Sequence, residues 1–313
     1  MGGNVFDGKT ANIKLENIVP TLTVYFSELA TIFPNKSTIF NTLHFQPVGS
    51  VGKKSESGDI DLAIDISDIL DANMSAESIA MWGINPVLVD VEAALLQKRA
   101  RTSTPTQLRI KAFLKILTSH INVHAPHLHC NEKKVTDGNI FSFYPQYDAD
   151  ANNLGIGVQV DWMIGNIKWL RFSYYSSSLP VGSNVKGLHR TQLILAAFQI
   201  ANLSFNHVNG VKDKATGKVV ATDPDCALLL LGSILGFDVT QSDAENYYNL
   251  HALFKLKMRN NDYSKLLDVY LKILDSTRTD IPDDLYYEWR NRQEILGLTG
   301  KFLPENSILN GVI

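Results

Sequence analysis

Residues 59–66, "DIDLAIDI", alternate without exception. Asp59, Asp61, Ala63 and Asp65 fall on one side of an extended chain, and Ile60, Leu62, Ile64 and Ile66 on the other. The pattern predicts a strand whose apolar side must be covered by a second layer. Its other side constrains function. A carboxylate in an apolar strand is unfavourable unless something positive meets it, and Asp59 and Asp61 stand one strand repeat apart, about 7 Å along the chain. A metal ion is the expected partner. Just upstream, "PVGSVGKKSESG" places Gly49 and Ser50 in a tight turn, whose backbone amides and hydroxyl suit phosphate oxygens.

Two carboxylates are close to what a Mg²⁺ site uses when substrate phosphates complete the coordination, and Mn²⁺ is the natural substitute. A two-metal phosphoryl transfer needs a third acid. Asp161 supplies it, within "LGIGVQVDWMIG" (154–165), where Val158, Val160 and Trp162 oppose Gly157, Gln159, Asp161 and Met163. An antiparallel pairing of this strand with the "DIDLAI" strand would gather the three carboxylates. Ordinary roles compete: Asp59 as a turn residue after Gly58, and Asp61 as a partly solvated edge-strand acid. Asp65, near the strand end, is expected to be solvated and lies outside the site.

"VGSVGKKSESGDIDLAID", followed by an Asp on a later strand, resembles the nucleotidyltransferase superfamily. Its fold is that of the DNA polymerase beta palm, and it includes poly(A) polymerases, tRNA CCA-adding enzymes, oligoadenylate synthetase-like enzymes and protein-modifying antitoxin transferases. The resemblance implies that Gly49 and Ser50 bind the nucleotide triphosphate, that Asp59 and Asp61 bind metal, and that Asp161 completes the metal site and the catalytic set. The stretches "VQVDWMIGNIKWLRFSYYSSS", "KGLHRTQLILAAF" and "DPDCALLLLG" further resemble nucleotidyltransferase-like proteins of large phages. Asp161 lies 100 residues beyond Asp61 (161 minus 61), farther than in the commoner family pattern, so an insertion of helices and a His-rich loop must intervene.

The implied reaction moves an NMP from an NTP such as ATP to an acceptor hydroxyl, with release of pyrophosphate. The acceptor is an RNA or tRNA 3′ end, a nucleotide or a protein. The competing class is a non-catalytic nucleotide-binding, structural or regulatory protein that keeps the fold. Lys53, with Lys54 beside it, can neutralise the triphosphate. In related enzymes a basic residue of the helical domain reaches it too, and this role is expected of Lys186 or Arg190, with Arg190 favoured for a forked phosphate contact.

The 313 residues suffice for two domains. The expected class is α+β: a palm-like domain over 1–180 with a mixed, mostly antiparallel sheet, then a helical domain over 181–313 that closes the nucleotide cleft. A first helix is expected over 15–33 with Ile18, Leu22, Tyr25, Phe26 and Leu29 inward, and Pro20 is tolerable if it sits in the first turn. A further helix begins after Thr104 as N-cap and Pro105. "IKWLRFSYYSSS" predicts another strand, and "VKGLHRTQLILAAFQIANLSF" an amphipathic helix. "VNGVKDKATGKVVA" predicts a polar hairpin, "DPDCALLLLGSILG" a helix ending at Gly236, and three more helices follow.

A net charge of −3 argues against a wholly basic nucleic-acid surface. Cys130 and Cys226 have no pair spacing and point to a reducing compartment. "MGGNVFDGKTANIK" lacks an apolar signal core, and no run reaches membrane-spanning length, so a cytoplasmic protein is expected, in the host cytoplasm if phage-encoded, without a membrane partner. His120, His124, His127, His129 and Cys130 crowd one loop but match no structural zinc spacing. Trp169, Tyr174 and Tyr175 are core residues or stacking platforms for a base.

Overall fold

The computed structural model describes residues 5–41, 44–99, 103–177 and 183–290. The chain forms two compact units, Met1–Leu170 and Arg171–Ile313. Pro180, where the sequence changes composition, lies outside the described residues, as does the end of the last expected helix beyond residue 290.

The first unit opens with β1 (Ile13–Lys14) and α1 (Leu15–Ile32). The five expected positions of α1, Ile18, Leu22, Tyr25, Phe26 and Leu29, are buried. Pro20 is the sixth helical residue, beyond the first turn in which a proline is tolerated without cost, because the helix begins at Leu15. Its missing N–H and ring strain are offset by the packing of that face, since burying one large apolar side chain contributes about 1.5–3 kcal/mol. Then come β2 (Gln46–Pro47), β3 (Glu56–Ser57) and β4 (Ile60–Asp65). Four helices follow: α2 (Ile66–Ile69), α3 (Ala76–Ala80), α4 (Pro86–Gln97) and α5 (Pro105–His124). Thr104 caps α5 in a reciprocal box with Gln107, which satisfies two of the helix's free N-terminal amides. The unit ends in β5 (His129–Cys130), β6 (Asn139–Tyr147), β7 (Asn153–Gly165) and the start of α6 (Ile167–Ser173).

Strands β2-β4-β7-β6-β5 form one mixed sheet, in which β4 and β7 are parallel and the other pairings antiparallel. The antiparallel pairing expected between the two acid-bearing strands is thus corrected. Strand β6 returns after the long helical crossover and turns tightly into β7, so β7 runs with β4 rather than against it. One face of the sheet is buried and largely apolar. Ile60, Leu62, Ile64, Val158, Val160, Trp162 and Ile164 are all at most 1 % exposed and join α1 and α5 in a single core. A short polar chain fastens this face: Trp162 Nε1 donates to the Tyr25 hydroxyl at 2.8 Å, which meets Ser142 Oγ at 3.2 Å, and Ser142 donates to the Val160 carbonyl at 2.8 Å.

Residues 167–173 are helical where the sequence predicts a strand. Asp65 Oδ2 accepts the Ile167 N–H, and Asn166 Oδ1 accepts that of Trp169, so the free amides of the first turn are capped. Trp169, Leu170 and Phe172 are buried, a helical spacing hidden inside an aromatic run that reads as β.

The second unit is helical with a small sheet built on the expected hairpin, to which residues 203–206, expected in the preceding helix as far as Phe205, add a third strand. Helix α7 (Gly187–Ile200) leads into β8 (Leu203–Asn206), which pairs with the hairpin of β9 (Gly210–Asp213) and β10 (Val219–Ala221). Then α8 (Pro224–Leu235) ends on Gly236 at φ +83°, a left-handed cap. Helices α9 (Gln241–Glu245), α10 (Tyr247–Lys257) and α11 (Asn260–Thr277) complete it. The predicted amphipathic face of α7 is absent. His189, Arg190, Thr191, Gln192, Leu193 and Ile194 are all buried, so the helix is enclosed on every side. Among the described residues no helix is long and apolar enough to cross a membrane.

Tyr25→Phe leaves the buried Trp162 N–H without its acceptor. It is expected to destabilise the protein by about 1–3 kcal/mol in urea unfolding. An unchanged midpoint would show that the Tyr25 hydroxyl does not fasten helix to sheet.

Candidate metal centre

The acids sit on the sheet face opposite the core. On β4 the alternation turns Ile60, Leu62 and Ile64 inward and leaves Asp61 on the other side, half-buried like Asp59 just before the strand. On β7 the same alternation buries Val158, Val160 and Trp162 in the core and sets Gln159 and Asp161 on the acid side. The parallel register pairs Asp61 with Asp161 directly, at the spacing of adjacent strands, about 4.8 Å. One ligand oxygen from each of Asp59, Asp61 and Asp161 lies within 4.8 Å of the others. Among the described residues this is the only group of three or more His, Cys, Asp or Glu side chains so arranged.

The Gly-Ser turn is built against the same acids. Val48 N–H donates to the Asp61 carbonyl at 3.0 Å and extends the β2–β4 ladder to the turn. Gly49 follows at φ +64°, and a Cβ there would lie 2.7 Å from Asp61 Oδ2. Two requirements thus fix glycine: left-handed backbone and contact with a carboxylate. The turn closes with Val51 N–H to the Val48 carbonyl at 3.4 Å and Lys53 N–H to the Ser50 carbonyl at 3.1 Å. Ser57 Oγ donates to the same Ser50 carbonyl at 3.4 Å, tying the loop's return. The structure therefore brings Gly49, Ser50, Asp59, Asp61 and Asp161 together in the first unit. Lys53 is exposed in the loop between turn and strand, as is Lys54.

The electrostatics of the cluster are unfavourable without a cation. Burial pushes the Asp161 carboxyl up to about 9, with the Asp61 charge adding to it and a hydrogen bond from Gln159 opposing it. Burial, then the charge of Asp59, pushes Asp61 up to about 8. Asp161 is 3 % exposed, and its Oδ1 is buried without a hydrogen-bond partner while Oδ2 accepts from Gln159 Nε2 at 2.7 Å. An orphaned buried carboxylate oxygen among acids is what a bound cation would satisfy, so the residues fit a metal. An all-carboxylate donor set suits a hard cation better than zinc.

Asp65 is a cap, not a solvated end. Burial pushes its carboxyl up, but the Ser67 N–H and hydroxyl and the Ile167 N–H outweigh this and hold it below the ordinary value. It thereby joins the starts of α2 and α6 to the end of β4.

Lys186 and Arg190, expected at a phosphate, belong to the second unit. Lys186 Nζ pairs with Asp280 at 3.1 Å. Arg190 is 2 % exposed. Its Nη1 donates to the Phe172 carbonyl at 2.8 Å and its Nε to that of Ala244, and its guanidinium lies over the rings of Phe172 and Tyr175. Burial pushes it down to about 10. Two of the donors expected to meet phosphate, Nε and Nη1, are thus engaged with backbone carbonyls of the second unit, and the buried guanidinium lies against rings.

The expected His-rich loop is divided among elements, with His120 and His124 on α5, His129 and Cys130 on β5, and His127 between them. His120 stacks on His124 and on Phe33, whereas His127 pairs with Glu28 at 3.3 Å. Glu28 also accepts from the Tyr144 hydroxyl at 2.9 Å, and the Cys130 N–H, on β5, donates to Asn122 Oδ1 at 2.6 Å. Trp169 is buried in the first unit, and Tyr174 leans on His207 in the second. Gln159 is the site residue that motif reasoning passes over. Its signal was its place two residues before Asp161, on the same strand face. Among known proteins, neither a family model nor a curated sequence matches this chain.

Carboxyls held above their unfolded value keep protons in the folded state that the unfolded chain releases. The metal-free protein should therefore lose stability as pH rises from about 4 through about 9. Asp161→Asn is expected to flatten that slope. At pH 8 it should raise the metal-free melting temperature by about 2–6 °C, equivalent to about 1–2 kcal/mol. Equal pH slopes for the two proteins in thermal melts would contradict the cluster's electrostatics.

Proposed function

We propose that this protein is a Mg²⁺-dependent nucleotidyltransferase that moves an NMP from an NTP to an acceptor hydroxyl. The observation that carries the proposal is the convergence of Asp59, Asp61 and Asp161 on adjacent strands, directly beside a turn whose Gly49 touches Asp61. A carboxylate cluster alone would suit many cations. A carboxylate cluster abutting a phosphate-sized turn suits a cation that arrives with phosphates. The resemblance of "GS…DID…D" to the nucleotidyltransferase superfamily supports the same reading.

In this proposal Gly49 and Ser50 hold triphosphate oxygens, with the Ser50 hydroxyl as donor and the glycine keeping the turn close to the acids. Asp59, Asp61 and Asp161 would hold the cation that accompanies the nucleotide, with Asp161 offering Oδ1 to it. Mg²⁺, or Mn²⁺ in its place, would supply charge for the attacking and leaving oxygens. The acceptor oxygen attacks the α-phosphorus, its proton passes to solvent, and the bond to pyrophosphate breaks. The chain's part is to hold the nucleotide's phosphates and the three carboxylates in fixed register, so that little reorganisation is needed. Lys53, on the exposed loop between turn and strand, is positioned in sequence to neutralise the outgoing phosphates. Acceptors in this proposal remain an RNA or tRNA 3′ end, a nucleotide or a protein hydroxyl.

The test uses α-labelled ATP, CTP, GTP and UTP with Mg²⁺, alone and with RNA or lysate. Lengthened RNA, labelled protein or a soluble oligonucleotide identifies the acceptor. Asp59→Asn with Asp61→Asn is expected to reduce NTP turnover at least about a thousandfold while circular dichroism stays unchanged. Full turnover in the double variant would overturn the proposal. Absence of Mg²⁺·NTP binding by the wild type in calorimetry would favour a non-catalytic role.

A further inference from the structure

Asp161 does not stand alone on its strand face. Two residues earlier, Gln159 is 1 % exposed and spans two partners. Its Nε2 donates to Asp161 Oδ2 at 2.7 Å, and its Oε1 accepts the Val5 N–H at 3.3 Å. A backbone N–H can only donate, so Val5 determines which end of the amide is oxygen. The NH₂ end must therefore face the carboxylate. An amide free to rotate could present either end, and its oxygen end would repel an ionised Asp161.

The segment that carries Val5 is itself fastened across the sheet. Phe6 meets the Phe143 ring edge-on at 6.1 Å, and Phe143 is the β6 partner of Gln159. Ala11 N–H donates to the Gly157 carbonyl at 2.9 Å, and Gln146 Nε2 holds the carbonyls of Ala11 and Asn12. Beyond that, Ile13 and Lys14 pair with Ser57 and Glu56, at the return of the Gly-Ser loop. One continuous stretch, residues 5–14, thus contacts both the support of the third acid and the loop that precedes the first two.

We propose that Gln159 is a positioning residue for the metal centre, which acts through Asp161, and that the N-terminal segment locks it. Gln159 occupies Oδ2 and orients the carboxylate so that Oδ1, buried and without a partner, is the oxygen presented to a cation. This inference rests on the proposed metal role of Asp161 but not on the identity of the reaction. Hydrogen-bonded supports of metal ligands typically change affinity ten- to a hundredfold when removed.

The experiment is a Mn²⁺ titration of the full chain, followed by the electron paramagnetic resonance signal of free Mn²⁺, without nucleotide. Gln159→Met keeps the side chain's length and removes both hydrogen bonds. It is expected to weaken Mn²⁺ binding about ten- to a hundredfold. A chain lacking residues 1–8 keeps Gln159 and loses the Val5 N–H and the Phe6 ring that fasten it, so it is expected to weaken binding in the same direction by a smaller factor. This arm carries the test should the Met variant not fold. Tyr25→Phe serves as the structural control, with lowered stability and wild-type Mn²⁺ affinity expected. Wild-type affinity in Gln159→Met, or a loss in Tyr25→Phe equal to that in Gln159→Met, would overturn the inference. If the wild type binds Mn²⁺ and Gln159→Met does not, yet no NTP is turned over, the positioning role stands and the proposed reaction falls. A wild type that binds no Mn²⁺ without nucleotide overturns the positioning role, whereas the proposed reaction falls only if NTP turnover is also absent.

Discussion

The level pairing of Asp61 with Asp161 on neighbouring parallel strands is the constraint on which the site depends. Two carboxylates held about one strand spacing apart, with Asp59 beside them, repel one another, and burial strengthens that repulsion. The sheet tolerates this because its opposite face is committed. Ile60, Leu62 and Ile64 of β4 and Val158, Val160, Trp162 and Ile164 of β7 are locked into an apolar core with α1 and α5, and a one-residue slip of either strand would turn that whole set away from it. The register that creates the unfavourable cluster is therefore the register that the core enforces. Burial is the larger cause of the raised proton affinity of Asp61 and Asp161, and the charge of Asp59 on Asp61 and of Asp61 on Asp161 adds to it.

Gly49 belongs to the same constraint. Its left-handed backbone lets the chain reverse immediately after β2, and its missing side chain lets that reversal pass against Asp61 Oδ2. Any other residue would displace either the turn or the carboxylate. The phosphate-sized turn and the acid cluster are thus one structural feature, joined through a contact that only glycine permits. Asp65, at the end of the same strand, does different work: it accepts the Ser67 and Ile167 amides and ties two helices to the sheet.

Much of the site was legible before the structure, because period-two alternation is unambiguous when apolar residues fill one side completely. Asp59, Asp61 and Asp161 were set on their faces by Ile60, Leu62, Val160 and Trp162 alone. The direction of pairing was not legible, since alternation is the same for parallel and antiparallel neighbours and only the β6–β7 hairpin decides it. Residues 167–173 misled because Trp169 and Phe172 favour strands, whereas the caps that make a helix there include an aspartate 102 positions away in sequence. Arg190 misled for a related reason. A cation four residues from Lys186 looks like part of an exposed basic face, and nothing local announces that carbonyls of Phe172 and Ala244 enclose it. Gln159 was visible on the right face, but its role depends on Val5, and a hydrogen bond across 154 residues leaves no local trace.

A crystal structure of the protein grown with Mn²⁺ and a non-hydrolysable NTP, examined for anomalous scattering, tests the central claim most directly. The account predicts a Mn²⁺ peak bonded to Asp61 and Asp161 Oδ1 at about 2.1–2.2 Å, with triphosphate oxygens on the Gly49-Ser50 turn. Nucleotide and metal bound elsewhere, with Asp161 Oδ1 still without a partner, would contradict it.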